Sequence, residues 1–92
     1  MATLHMEVES VRATQSNLMT IHSDLTSQVN TMTNAINGMV GSTWQGNSAV
    51  EFQAEYENWR STMTTLLDQL STLANRLQTE IAEWEQMAAK LA

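Results

Sequence analysis

The chain has no cysteine and no proline, only three glycines, and few charges for its 92 residues. Without cysteine, the fold depends on neither disulfides nor thiolate-bound zinc, and either a reducing or an oxidising compartment leaves it unchanged. Long apolar runs are also missing: no stretch approaches the roughly 18 apolar residues of a membrane span. The amino-terminal "MATLHMEVESVR" carries glutamates where a Sec-type signal needs a basic segment and then an apolar run. The expectation is therefore export by another route, if the protein is exported at all. Basic residues are the scarcest charged class, four against ten acidic ones, for a net charge of −6. That balance repels phosphate backbones and anionic headgroups, so nucleic acid is excluded as a partner and membrane binding is disfavoured. A membrane-active amphipathic protein is the weakest functional class on the same ground. Charged residues make up 15% of the chain, against roughly 25% in an average domain. Serine, threonine, asparagine and glutamine cover the surface in their place.

What the sequence does have is helical periodicity. From Leu4, apolar residues return every seven positions as Val11, Leu18, Leu25, Met32 and Met39, with Val8, Val29 and Ile36 as companions and Gln15 and His22 interrupting the second row. Leu4 and Met6 alternate with Thr3 and His5, which suits a short extended arm before a helix opening near Glu7. The second half is stronger. Ala49, Tyr56, Met63, Leu70, Leu77, Trp84 and Leu91 form one heptad series, and Phe52, Trp59, Leu66 and Leu73 form its partner. Glu80 falls where that partner series should continue, with Arg76 one turn before it as an ion-pair candidate; setting the pairing register between chains is the alternative reading. Leu67, Ala74, Ile81 and Ala88 flank the seam as a third row, so the second helix has more than one neighbour to cover. The pattern predicts an all-α fold: an antiparallel two-helix hairpin over about 7–40 and 48–90, a single domain spanning 1–92.

All three glycines cluster between the helices, in "GMVGSTWQG". Gly41 suits the left-handed position that ends a helix. Ser48 and Glu51 have the spacing of a capping box at the start of the second helix, near Asn47 or Ser48. Trp44 lies at the bend, with Gly46 permitting a backbone angle that a side chain would block. On physical grounds alone, the indole closes the end of the core against Ile36 and Val50; a ligand-binding role is the competing reading.

Burying a large apolar side chain is worth about 1.5–3 kcal/mol, and fixing each backbone residue costs roughly 1–2 kcal/mol. A lone two-helix rod is marginal on those terms. Pairing two hairpins would cover the face around Leu66, Leu67, Leu70, Leu73 and Leu77, dimerising the hairpin into a four-helix bundle. The seam within and between hairpins is expected to use Leu18, Leu25, Met32, Tyr56, Trp59, Met63, Leu66, Leu70, Leu73, Leu77 and Trp84. Met32, Met39, Met63 and Met87 lie on apolar faces and fill the core by default, with adaptable partner binding as the sharper alternative.

Trp44-Gln45-Gly46 between two such helices, extended by Ala49 and Phe52 into "W-x-G-x-x-A-x-x-F", resembles the WXG family of small secreted helical hairpins, the early-secreted-antigen-like substrates of type VII secretion systems. Trp59 in "YENWR" and "EVESVR" near the start extend the resemblance. It implies a non-enzymatic protein that folds in the cytoplasm as a homodimer, or as a heterodimer with a related small W-x-G protein. It also implies secretion without a cleaved signal peptide, with Trp44 and Gly46 as turn and export recognition and a secretion ATPase as partner. The family's tail signal, tyrosine followed at four by Asp or Glu, is not matched: Tyr56 precedes Arg60, and Trp84 precedes Ala88. Export together with a signal-bearing partner is then the implied route. An intracellular coiled-coil adaptor of the same shape is the alternative.

Catalytic chemistry is poorly supplied. His5 and His22, both placed on the first helix, would stand about 25 Å apart and share no site. His22 occupies the apolar stripe, where a packed histidine is the simplest reading. His5 and Glu9 are four apart, two ligands without a third, which gives no metal site. Glu83 and Glu85 point in different directions on a helix and read as a solvated face. No enzyme activity and no cofactor are expected.

Overall fold

The computed structural model describes residues 5–91; Leu4, the first member of the leading apolar series, lies outside them. Two helices, α1 (Val8–Met39) and α2 (Asn47–Leu91), form an antiparallel hairpin, within a residue of the predicted bounds at each end. The hairpin is a rod of 69 × 22 × 17 Å with a radius of gyration of 20.6 Å, against about 12 Å for a compact chain of this length. Its surface is correspondingly large, 6932 Å², where a compact monomer of this mass exposes about 5,400 Å².

Which rows meet between the helices differs from the sequence reading. In α2 the first heptad series does turn inward, with Ala49 and Tyr56 buried and Met63, Leu70, Leu77 and Trp84 half-buried. Its partner row, however, is Leu67, Ala74 and Ile81, all buried, with Gln53 and Arg60 half-buried ahead of them. The row expected to be the partner, Phe52, Trp59, Leu66 and Leu73, faces outward. Over residues 63–77 all three rows are apolar, so hydrophobicity does not rank them there. Ala49 and Ala74 are fully buried.

In α1 the inward residues are Val8, Val11, Gln15, Leu18, His22, Thr26, Val29, Thr33, Ile36 and Met39, followed by Val40 just past its end. The seam follows the apolar heptad as far as Leu18 and then moves one position on, to Thr26 and Thr33, leaving Leu25 and Met32 exposed. A straight helix gains about 20° per heptad against a strict seven-residue repeat, and that drift carries Leu25 and Met32 off the contact line.

The helix contact is partly polar, which periodicity alone did not suggest. The Thr33 hydroxyl reaches the Val29 carbonyl (2.8 Å), and the Tyr56 hydroxyl shares a 2.6 Å hydrogen bond with Thr33 Oγ1 while lying 3.4 Å from the same carbonyl. Both side chains are buried and no buried side-chain polar atom among the described residues lacks a partner. Tyr56→Phe removes the hydroxyl's bonds to Thr33 and Val29 and leaves Thr33 still bonded to Val29, so thermal unfolding should show a loss of about 0.5–1.5 kcal/mol. A value near zero would mean the Tyr56 hydroxyl contributes nothing to the helix pairing. On one flank of the rod, Arg12 Nη2 donates to Glu85 at 3.0 Å and Gln53 Nε2 to Asn37 Oδ1 at 3.0 Å. Glu85 is thus an interhelix partner and not only a solvated carboxylate.

Candidate functional site: the W-x-G turn and the apolar face

The turn occupies Val40 to Gly46 and is closed by its own backbone. Val40 leaves α1 in an extended conformation while its N–H still reaches the Ile36 carbonyl. The Gly41 N–H then donates to the Trp44 carbonyl (2.9 Å), and the Trp44 N–H donates back to the Met39 carbonyl (3.1 Å). Two residues make this path possible: Gly41 at φ +90° and Gly46 at φ +115°. Gly38, inside α1, has an ordinary helical φ.

No atom lies within 4 Å of where a Cβ would stand at any of the three glycines. Substitution there consequently tests backbone conformation with no steric clash. Gly46→Ala forces an L-residue into the left-handed region and should cost about 1–2 kcal/mol. Gly38→Ala should stabilise by about 0.5–1 kcal/mol, because alanine is the better helix former. Denaturant titration of the pair checks both signs; equal effects would contradict placing Gly46, and not Gly38, at a positive φ.

Gly46 also corrects the expected cap. Its carbonyl accepts the first α2 hydrogen bond, from Val50 N–H at 3.2 Å. Asn47 is already helical, so Ser48 sits inside the first turn and is not positioned as the N-cap of a capping box with Glu51. A glycine with positive φ reaches the helix entry directly, and no hydroxyl cap is used.

Trp44 is not a plug in the hairpin core. It remains 37% exposed and tilts against Phe52, with ring centroids 5.6 Å apart. Val50, expected beneath it, is 62% exposed and points away. Trp59 in turn lies against Tyr56, centroids 5.7 Å apart. The indole therefore begins a stripe that continues along α2 through Phe52, Trp59, Leu66 and Leu73, the last two 51% and 62% exposed.

A second stripe runs beside it. Leu25 and Met32 of α1, with half-buried Leu18, lie to the same side of the contact line as the α2 row, three residues forward from a seam position in each helix. In antiparallel helices such equal steps bring both rows to one face. The opposite flank is mostly polar, with Met19 exposed on it. There a shallow cleft is lined by His22, Thr26, Asn30, Arg60, Thr64 and Asp68 over a floor of Val29 and Leu67.

A family comparison matches residues 3–86, nearly the whole chain, to the model described as WXG100, proteins of 100 residues with WXG. The chain belongs to the WXG100 family. No curated protein and no solved structure matches it significantly. WXG100 proteins are small helical proteins associated with type VII secretion and are not known as enzymes.

Each position of the WXG100 motif has a structural task in this chain. Trp44 packs on Phe52, Gly46 makes the left-handed entry to α2, and Ala49 is fully buried beside the turn. The chain's single tyrosine, Tyr56, is buried in the hairpin and hydrogen-bonded to Thr33, so it is not displayed for recognition. Trp84 is half-buried and Ala88 exposed.

The remaining candidates take ordinary places. His5 precedes α1 and approaches Glu7 at 3.8 Å, so the helical pairing with Glu9 does not form. Arg76 and Glu80 do pair, at 3.0 Å. Among the described residues no three metal-ligating side chains converge. Met39 and Met63 are half-buried, whereas Met32 and Met87 are exposed. No helix of the described residues is long and apolar enough to cross a membrane.

Proposed function

We propose that this single hairpin domain is a substrate or export partner of a type VII secretion system, acting as a dimer through its apolar face. Family membership supports the secretion route. The observation that carries the dimer is the two-row face itself. Phe52, Trp59, Leu66 and Leu73 beside Leu25 and Met32 form an exposed apolar surface with no cover in the single chain, and such surfaces mark association sites. Closing two such faces together makes a four-helix bundle. Tyr56, Met63, Leu70, Leu77 and Trp84 then serve the seam within each hairpin, and Leu18 the edge between the two.

The protein folds in the cytoplasm and leaves by the type VII route, engaging the secretion ATPase. With Tyr56 buried in the hairpin and Trp44 exposed at the bend, the W-x-G turn serves as the recognition element in this reading. Trp44→Ala should reduce export by about tenfold, as loss of an exposed tryptophan anchor does. It should leave dimer affinity within about threefold, because the indole rests on one end of the face. The readout is intact protein in culture supernatant, dependent on the ATPase, beside the dimer affinity of the purified variant. Equal loss of both would reduce Trp44 to packing. ATPase-independent appearance, or none at all, would favour an intracellular adaptor.

A further inference from the structure

The α2 row of the apolar face, Phe52, Trp59, Leu66 and Leu73, continues at Glu80 before Met87. Glu80 is half-buried, and its carboxylate accepts from Arg76 Nε at 3.0 Å. We propose that this pair fixes the register in which a second copy of the chain covers the face. The inference rests on the dimer reading above.

A second copy is the occupant that the face fits. From Phe52 to Met87 the row runs about 52 Å at 1.5 Å per residue, which a short peptide or compact domain does not span and another rod of this length does. The two rows carry no net charge, because Glu80 is neutralised by Arg76. Two copies of a chain with net charge −6 can therefore meet there with no unbalanced charge within the rows. The surface beyond that of a compact monomer, about 1,500 Å² per chain, is ample for a standard interface.

Such a face has a register problem. Its large side chains repeat every seven residues, so a slip of one heptad, about 10 Å, places Trp59 where Phe52 stood and Leu66 where Trp59 stood. Every apolar contact is replaced by another. Glu80 is the charged interruption of that row. A slip that drives an apolar side chain over it strips water from the carboxylate, whereas the correct register leaves the pair solvated through Arg76, whose side chain is 74% exposed. A buried charge is costly even when paired, so one interruption suffices to select among registers. A single polar residue in an apolar seam acts this way in coiled coils, at a cost in affinity.

The test compares the wild-type sequence with Glu80→Leu and Glu80→Gln. Spin labels are placed on a cysteine introduced at Thr43 or, separately, at Thr79, a clean strategy because the chain has no cysteine of its own. Sedimentation gives affinity, and dipolar spectroscopy gives the distance between copies. The expected result is one distance for wild type and Glu80→Gln. Glu80→Leu should dimerise at least as tightly, by about tenfold, with additional distances displaced by up to about 10 Å. A single wild-type distance in Glu80→Leu would overturn the register role and leave the dimer intact. A wild-type chain that stays a folded monomer at low micromolar concentration would overturn both the dimer reading and the proposal.

Discussion

Leu66→Asp combined with Leu73→Asp is expected to abolish dimerisation and leave a weakly helical chain. Both leucines are more than half exposed in the single hairpin, so the substitutions remove little from the contact between α1 and α2. Their effect falls on the surface that another hairpin covers. Completing the burial of a half-exposed leucine is worth about 1 kcal/mol or slightly more, and a dimer of this chain contains four of them. The loss is therefore roughly 4–6 kcal/mol, or three to four orders of magnitude in affinity, before the cost of desolvating aspartate is counted. Circular dichroism and sedimentation on the same samples check it. Full helicity in a stable monomer would show that the hairpin needs no cover.

Ala74→Asp is expected to unfold the chain, while Ala88→Asp leaves it folded. The two alanines lie in one heptad row, and sequence alone treats them alike. Ala74 is fully buried beside α1, where Gln15 reaches its carbonyl, whereas Ala88 is exposed beyond the buried part of the seam. An uncompensated carboxylate at Ala74 costs several kcal/mol, a large part of the about 5–15 kcal/mol that stabilises a typical domain. Ala74→Leu, which adds volume without charge, should cost about 1–3 kcal/mol through overpacking. Similar melting temperatures for the two aspartate variants would return the α2 contact line to the row of Leu66 and Leu73.

These outcomes mark where sequence periodicity was sufficient. The helices and the turn were legible because Val11, Leu18, Tyr56, Met63, Leu70 and Leu77 recur at helical spacing, and because the glycines fall together between them. The division of labour on α2 was not legible. Three adjacent rows are apolar over residues 63–77 and satisfy the same periodicity, which does not say which two of them face α1. On α1 the polar residues Thr26 and Thr33 replaced Leu25 and Met32 in the seam because of helical drift, with the Tyr56 hydroxyl supplying Thr33 a buried partner.

The turn shows the same pattern. A left-handed glycine at the helix boundary was expected at Gly41 and is found there. The Ser48 and Glu51 spacing was a true sequence signal without a structural counterpart, because Gly46 starts α2 one residue earlier. Trp44 was assigned inward from its bulk, yet its neighbour is Phe52 on the outward row. That placement joins the W-x-G turn to the face proposed for association.

The most direct test of the account is the mass and melting behaviour of the purified wild-type chain across concentration. The account predicts a species of twice 10.3 kDa, with a melting temperature that rises with protein concentration, as dimer linkage requires. A folded 10.3 kDa monomer at low micromolar concentration, melting at the same temperature at every dilution, would contradict it.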